Sequence, residues 1–190
     1  MRIGIVVFNG FGELDAIGPL EVFRIAAKMG GDFDAKLITR TKQKRVTGAH
    51  GLTVEPDGVY KPGEMDALLV VGGGWVDHAA QGVWAEVQNG DWLPLLTAEA
   101  QAGTKMLSVC TGAMLLANAG VIGEQRAATH HLAWDDLAAT GAIIVPERVV
   151  DEGSVVTSGG VTSGIDLALW LVEAEGGPDL ANAVSRHLEY

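Results

Sequence analysis

The chain has 190 residues, 48% of them apolar, and a formal net charge of −11 from 24 acidic and 13 basic side chains. This composition excludes a disordered polymer, and the length predicts one domain, residues 1–190, with a sizeable core. The acidity excludes nucleic acid as a partner, because phosphate neutralisation needs grouped Lys and Arg, and only Lys42-Gln43-Lys44-Arg45 forms a basic cluster.

Residues 3–8 read as a buried strand and not as a signal segment, since Asn9, Gly10 and two acids by Asp15 interrupt the apolar run. A helix is predicted over 14–28, a strand over 34–40, and a hairpin over 46–54 that turns at His50-Gly51. Residues 67–71 are an unbroken apolar run ending in Gly72-Gly73-Gly74, as expected of a strand buried on both faces. Helices are predicted near 76–88 and 93–102, a strand over 106–109, and a helix from there to about Gly120. Short strands over 142–145, 148–150 and 155–157 precede helices over 162–175 and 178–188. Strands alternating with helices define an α/β protein with a mostly parallel sheet. No window holds the roughly 18 unbroken apolar residues of a membrane span. One cysteine cannot form an internal disulfide, and no Cys/His spacing of a metal site exists, so a cytoplasmic location is expected.

That cysteine carries the most information. Cys110 stands where the strand over 106–109 ends and a helix begins, with Ser108 and Gly112 two positions to either side. A turn this tight tolerates only small side chains there, the steric requirement of a nucleophile elbow with cysteine at its apex. The helix N-terminus behind the sulfur favours a thiolate. The alternative is a buried cysteine acting as a small apolar residue.

Glu13 and Asp15 follow the first strand, and loops beyond the carboxyl ends of parallel strands converge on one crevice. Either acid can therefore face Cys110, where the two groups titrate jointly and the carboxyl can exchange a proton beside the sulfur. Either can instead cap the helix. Gly72-Gly73-Gly74 lacks any nucleotide-binding spacing; it is a tight turn or a backbone that approaches a reacting atom. His130 and His131 are both candidates for a base, and their spacing does not choose between them.

Leu14-Asp15-x-x-Gly18-Pro19-x-Glu21-Val22-Phe23, Val71-Gly72-Gly73-Gly74 and Ser108-Val109-Cys110-Thr111-Gly112 together resemble the ThiJ/PfpI superfamily of the class I glutamine-amidotransferase-like group. The segments 126–131, 147–150 and 157–166, with the closing Leu188-Glu189-Tyr190, look like its isocyanide hydratase branch. The resemblance spans essentially the whole chain. It implies a flavodoxin-like three-layer sandwich, a homodimer, no cofactor and a small isocyanide substrate. It also implies roles: Cys110 attacks the isocyanide carbon, Asp15 handles the proton, and Thr111 supports the site. The N–H groups of Thr111 and Gly73 resemble the superfamily's oxyanion-hole pair, and the residues matching Gly159 and Val161 line the substrate pocket.

Three departures matter. Thr111 stands where protease members carry histidine. Asp15 replaces the glutamate usual in members acting on glyoxals. Trp75 follows the glycine run where hydratases tend to have a small residue, which points to a narrowed pocket. The expected activity is hydration of an isocyanide to a formamide. The alternatives are glyoxalase or deglycase chemistry on small carbonyls, and a redox- or ligand-sensing module using an oxidisable Cys110. Regulator members carry an additional helix-turn-helix domain, for which a chain ending at Tyr190 leaves no room.

Overall fold

The computed structural model describes residues 1–190. In chain order its elements are β1 (Arg2–Val6), α1 (Glu13–Lys28), β2 (Asp34–Thr39), β3 (Val46–Thr47), β4 (Thr53–Val54), β5 (Gly58–Val59) and β6 (Ala67–Val70). There follow α2 (Val83–Asn89), α3 (Leu93–Gln101), β7 (Lys105–Ser108), α4 (Gly112–Asn118) and β8 (Arg126–Ala127). A 3-10 turn (His131–Ala133) leads into α5 (Trp134–Ala138), then β9 (Ile143–Ile144), β10 (Val149–Asp151), β11 (Val155–Ser158), α6 (Ser163–Gly176) and α7 (Pro178–Leu188).

Seven strands form the central sheet in the order β10-β11-β7-β6-β1-β2-β5, parallel throughout except for β10, which runs against β11. The strands β1, β6 and β7 are nearly continuous Val/Ile/Leu/Met runs because helices cover both faces: α1, α6 and α7 on one, α2, α3 and α4 on the other. The result is a flavodoxin-type sandwich. Two small accessory ladders, β3-β4 and β8-β9, stand outside the sheet.

The chain leaves β1 toward β2 on one side and returns through β6 on the other. The loops after β1 and β6 therefore diverge at the carboxyl edge, which opens a crevice at that switch point. The loop after β7 opens beside them.

One expectation needs correction. The helix expected from residue 76 begins only at Val83. Gly74 and Gly82 have φ of 67° and 115° and His78 has φ of 48°, so the intervening chain coils instead of spiralling. Its turns close through Ala79 N–H to the Gly74 carbonyl and Val83 N–H to the Gly73 carbonyl. The apolar residues Leu20, Val22 and Phe23 of α1 are buried within the chain, and Ile17 packs half-buried on the same core. Packed on the sheet and against α6, α1 has two inward faces, and these take up its apolar side chains.

Candidate active site

The elbow forms as its small residues require. Cys110 adopts φ of 57°, a left-handed conformation that non-glycine residues rarely hold without surrounding constraint. The constraint is visible on both sides of the residue. Its N–H donates to the Gly159 carbonyl at 2.9 Å, and its carbonyl accepts from the Thr129 hydroxyl at 2.9 Å. A Cβ at Gly112 would collide with the Val70 carbonyl, so only glycine lets α4 start this close to β6.

Ser108 is buried and its hydroxyl has no partner. The turn needs its size and not its oxygen. Ser108→Ala should therefore raise stability by about 1 kcal/mol, the cost of an unmet buried polar group, while leaving turnover unchanged. Paired denaturant melts and rate measurements check this; a loss of activity would mean that the hydroxyl has a chemical role.

Around the sulfur, the N–H groups of Thr111 and Val161 and the hydroxyl of Thr111 act as donors. Gly73 N–H donates to Thr111 Oγ1 at 3.0 Å, which leaves the hydroxyl's own hydrogen free for the sulfur. Val161 carries φ of 46°, unusual for a β-branched residue, and this conformation aims its N–H at Cys110.

Asp15 lies in the first turn of α1 but does not cap it; the helix has no side-chain cap. Asp15 is 2% exposed, and its carboxyl accepts from Gly72 N–H at 2.9 Å and stands beside Cys110 on the cavity wall. Burial pushes the Asp15 carboxyl up to about 7. Burial, then the Asp15 charge, pushes the Cys110 thiol up to about 12, against the pull of its three donors. The thiolate-favouring effect read from the helix terminus is thus outweighed by depth and by the neighbouring acid. Between those values the pair holds a single proton.

Glu13 has a different task. It accepts the His50 N–H at 2.5 Å and lies 3.4 Å from His50 Nδ1. Ala49 N–H donates to the Phe11 carbonyl at 2.9 Å and Gly10 N–H to the Thr47 carbonyl at 2.8 Å. The tip of the β3-β4 hairpin is thereby fastened to the loop after β1 as one wall of a cavity of about 1090 Å³. Cys110, Asp15, Thr111, Gly73 and Val161 all line this cavity. Gly159 does not; its carbonyl holds the Cys110 backbone behind the site.

Trp75 forms part of the wall without plugging the space. It is buried, donates from Nε1 to Asp136 at 2.7 Å, and meets Trp84 edge-on at 5.2 Å between ring centres. Of the two histidines, His130 reaches the cavity and His131 is exposed. His130 Nδ1 accepts the Leu132 N–H at 3.3 Å, which assigns the ring proton to Nε2. Burial, then His131, holds His130 below its ordinary range. No three His, Cys, Asp or Glu side chains converge as a metal site would require. The hairpin wall, with Leu52 and His50, was not singled out from the sequence, because nothing local marks it as part of the site.

A parallel α/β sheet with a cysteine at a strand-helix elbow, backed by a buried acid from the first helix, defines the class. The DJ-1/PfpI family model matches residues 1–174, and the chain belongs to that family. It is 32% identical to isonitrile hydratase of Pseudomonas putida, over all of this chain and 78% of that protein. It is also 26% identical to the deglycase TK1284 of Thermococcus kodakarensis, over 83% of this chain and 89% of that one. A solved ThiJ/PfpI family structure from Pseudomonas syringae superposes with a TM-score of 0.87 at 26% identity, covering all of this chain and 74% of its own. No helix is long and apolar enough to cross a membrane.

Proposed function

We propose that the protein hydrates isocyanides to N-substituted formamides, acting as a cytoplasmic homodimer on a small-molecule substrate without a cofactor. The carrying observation is the buried Asp15 carboxyl set beside the Cys110 thiol in one cavity, each shifting the other's ionisation. The terminal carbon of an isocyanide must receive both a nucleophile and a proton. Here the carboxyl that can carry the proton stands beside the sulfur that attacks.

With the shared proton on Asp15, the sulfur forms the S–C bond and Asp15 delivers its proton to the same carbon, giving a thioimidate. Water then adds across the C=N bond, its oxygen to carbon and one hydrogen, relayed by the Asp15 carboxylate, to nitrogen. Asp15 takes the remaining hydroxyl proton as C=O forms and the C–S bond breaks. The pair ends with the single proton it started with.

A carbonyl electrophile makes a different demand, for free donors at its developing oxyanion. The N–H groups of Gly72 and Gly73, at the end of β6 beside the elbow, are occupied by Asp15 and Thr111 Oγ1. This favours the isocyanide reading over the deglycase one, which the likeness to TK1284 keeps as the second reading.

Incubation with cyclohexyl isocyanide, followed by chromatography of the formamide, tests the proposal. Turnover no faster than buffer, with methylglyoxal consumed instead, would transfer the site to the second reading. Turnover should also depend on pH in one direction. Below about 7 the pair gains a second proton and no nucleophile remains, so kcat/KM should fall about tenfold per pH unit as pH drops through that value. A profile flat from pH 5 to 9 would refute the shared-proton pair.

A further inference from the structure

The lining of the cavity has a charge pattern that the reaction itself does not require. Glu13, Asp15 and Asp77 face it, and no lysine or arginine does. The two lining histidines offer little compensation: His50 is paired with Glu13 at 3.4 Å, and His130 is held below its ordinary range by burial. A carboxylate bound in a protein is normally met by an arginine fork or by a nest of unpaired backbone N–H groups. Beside the sulfur the floor offers neither, since the N–H groups of Gly72 and Gly73 are engaged by Asp15 and Thr111 Oγ1 and that of Cys110 by the Gly159 carbonyl.

The rim shows the complementary feature. Leu14, Leu52, Val76 and Val161 line the cavity and are 40–51% exposed, four of the large apolar side chains that the molecule leaves open to solvent. Gathered around one opening, they supply apolar area to the part of a ligand that projects away from Cys110.

We infer that the Cys110 site is charge-selective: it admits neutral electrophiles whose substituent is large and apolar, and it excludes carboxylate-bearing ones. For the substrate this rests on the hydratase reading, and it selects alkyl and aryl isocyanides such as benzyl isocyanide over isocyano acids. One like charge about 8 Å from an acid, in a medium of effective dielectric about 20, gives discrimination on the order of 30-fold.

Alkylation of native Cys110 by iodoacetamide and by iodoacetate, followed by intact mass, measures this without any turnover. The buffer should contain about 1 M NaCl, where the Debye length of about 3 Å suppresses the field of the protein's net charge but not that of partly buried acids. Relative to the same rate ratio for 2-mercaptoethanol, iodoacetamide should be favoured by a further factor on the order of 30. A ratio equal to the reference thiol's overturns the inference. Measured against the parent at about 0.01 M salt, where the Debye length of about 30 Å leaves a rim charge unscreened, Leu52→Lys at its exposed rim position should raise the relative iodoacetate rate roughly threefold. No change there would remove the discrimination from this wall and overturn the assignment.

Ethyl isocyanoacetate and isocyanoacetate then separate the two levels of the argument. Hydration of the ester but not the acid supports both. Equal hydration of both overturns the selectivity and leaves the hydratase reading standing. If neither reacts while iodoacetamide is still preferred, the hydratase reading fails and the charge selectivity holds.

Discussion

Cys110→Ala and Cys110→Ser should each lower isocyanide hydration by roughly 10⁶-fold, the scale of losing a nucleophile whose partners work only with it. Alanine fits the turn, since the elbow is held by bonds to the Cys110 N–H and carbonyl that any residue retains. Its melting temperature should stay near that of the parent. Serine is the sharper test. An alcohol is far more basic than a thiol, and the site that pushes the thiol to about 12 leaves serine un-ionised. The one acid in contact, Asp15, is too weak a base to take an alcohol proton. Measurable turnover by the serine variant, above the alanine background, would mean that a base other than Asp15 operates, with His130 the residue to examine.

Asp15→Asn should reduce turnover by roughly 10²–10⁴-fold, the usual contribution of a positioned proton donor, and it should also stabilise the fold at alkaline pH. The sign follows from the raised pKa. The folded state binds the Asp15 proton more tightly than the unfolded chain does. Stability linked to this group is therefore full below the unfolded value of 3.8 and is lost as pH rises through about 7. At pH 8 the folded protein bears the full expense of the buried charge, on the order of 4 kcal/mol. Asparagine removes the charge, and its Oδ1 still accepts the Gly72 N–H. Melting curves at pH 5 and pH 8 should show the variant gaining several degrees at pH 8 and much less at pH 5. An equal effect at both pH values would trace the change to packing, and unimpaired turnover would remove Asp15 from the chemistry.

How far these features could be read from the sequence depended on how local their causes are. The elbow was legible because its steric demand falls on Ser108 and Gly112, two residues from the apex. The parallel strands were legible because burial on both faces leaves unbroken apolar runs. The choice between Glu13 and Asp15 could not be read from spacing and came from the family resemblance alone, for each acid is placed by a distant contact: Asp15 by Gly72 and Glu13 by His50. The same holds for the ionisation of Cys110, where the strand-helix junction signalled a lowered pKa and depth reversed it. The helix expected from residue 76 failed on glycine geometry, since the apolar spacing of 75–88 resembles a helix until Gly74 and Gly82 take left-handed φ. Strands of two residues, such as β5 and β8, are too short to show any period, and α5 spans only Trp134–Ala138.

The fastening of the β3-β4 hairpin divides inheritance within the site. The groups that move protons and form bonds hang from loops at the carboxyl edge of the central sheet, and these loops grip one another: Gly12 to Gly72, Gly72 to Asp15, Gly73 to Thr111. The hairpin touches this machinery only from outside, through Glu13, the Asn9 side chain and two backbone bonds, and none of its hydrogen bonds reaches Cys110 or Asp15. Its tip, Gly48 to Leu52, can lengthen, shorten or change character while the chemistry stays fixed. Drift in that one small ribbon is enough for descendants of a common reaction centre to part ways over the molecules they accept.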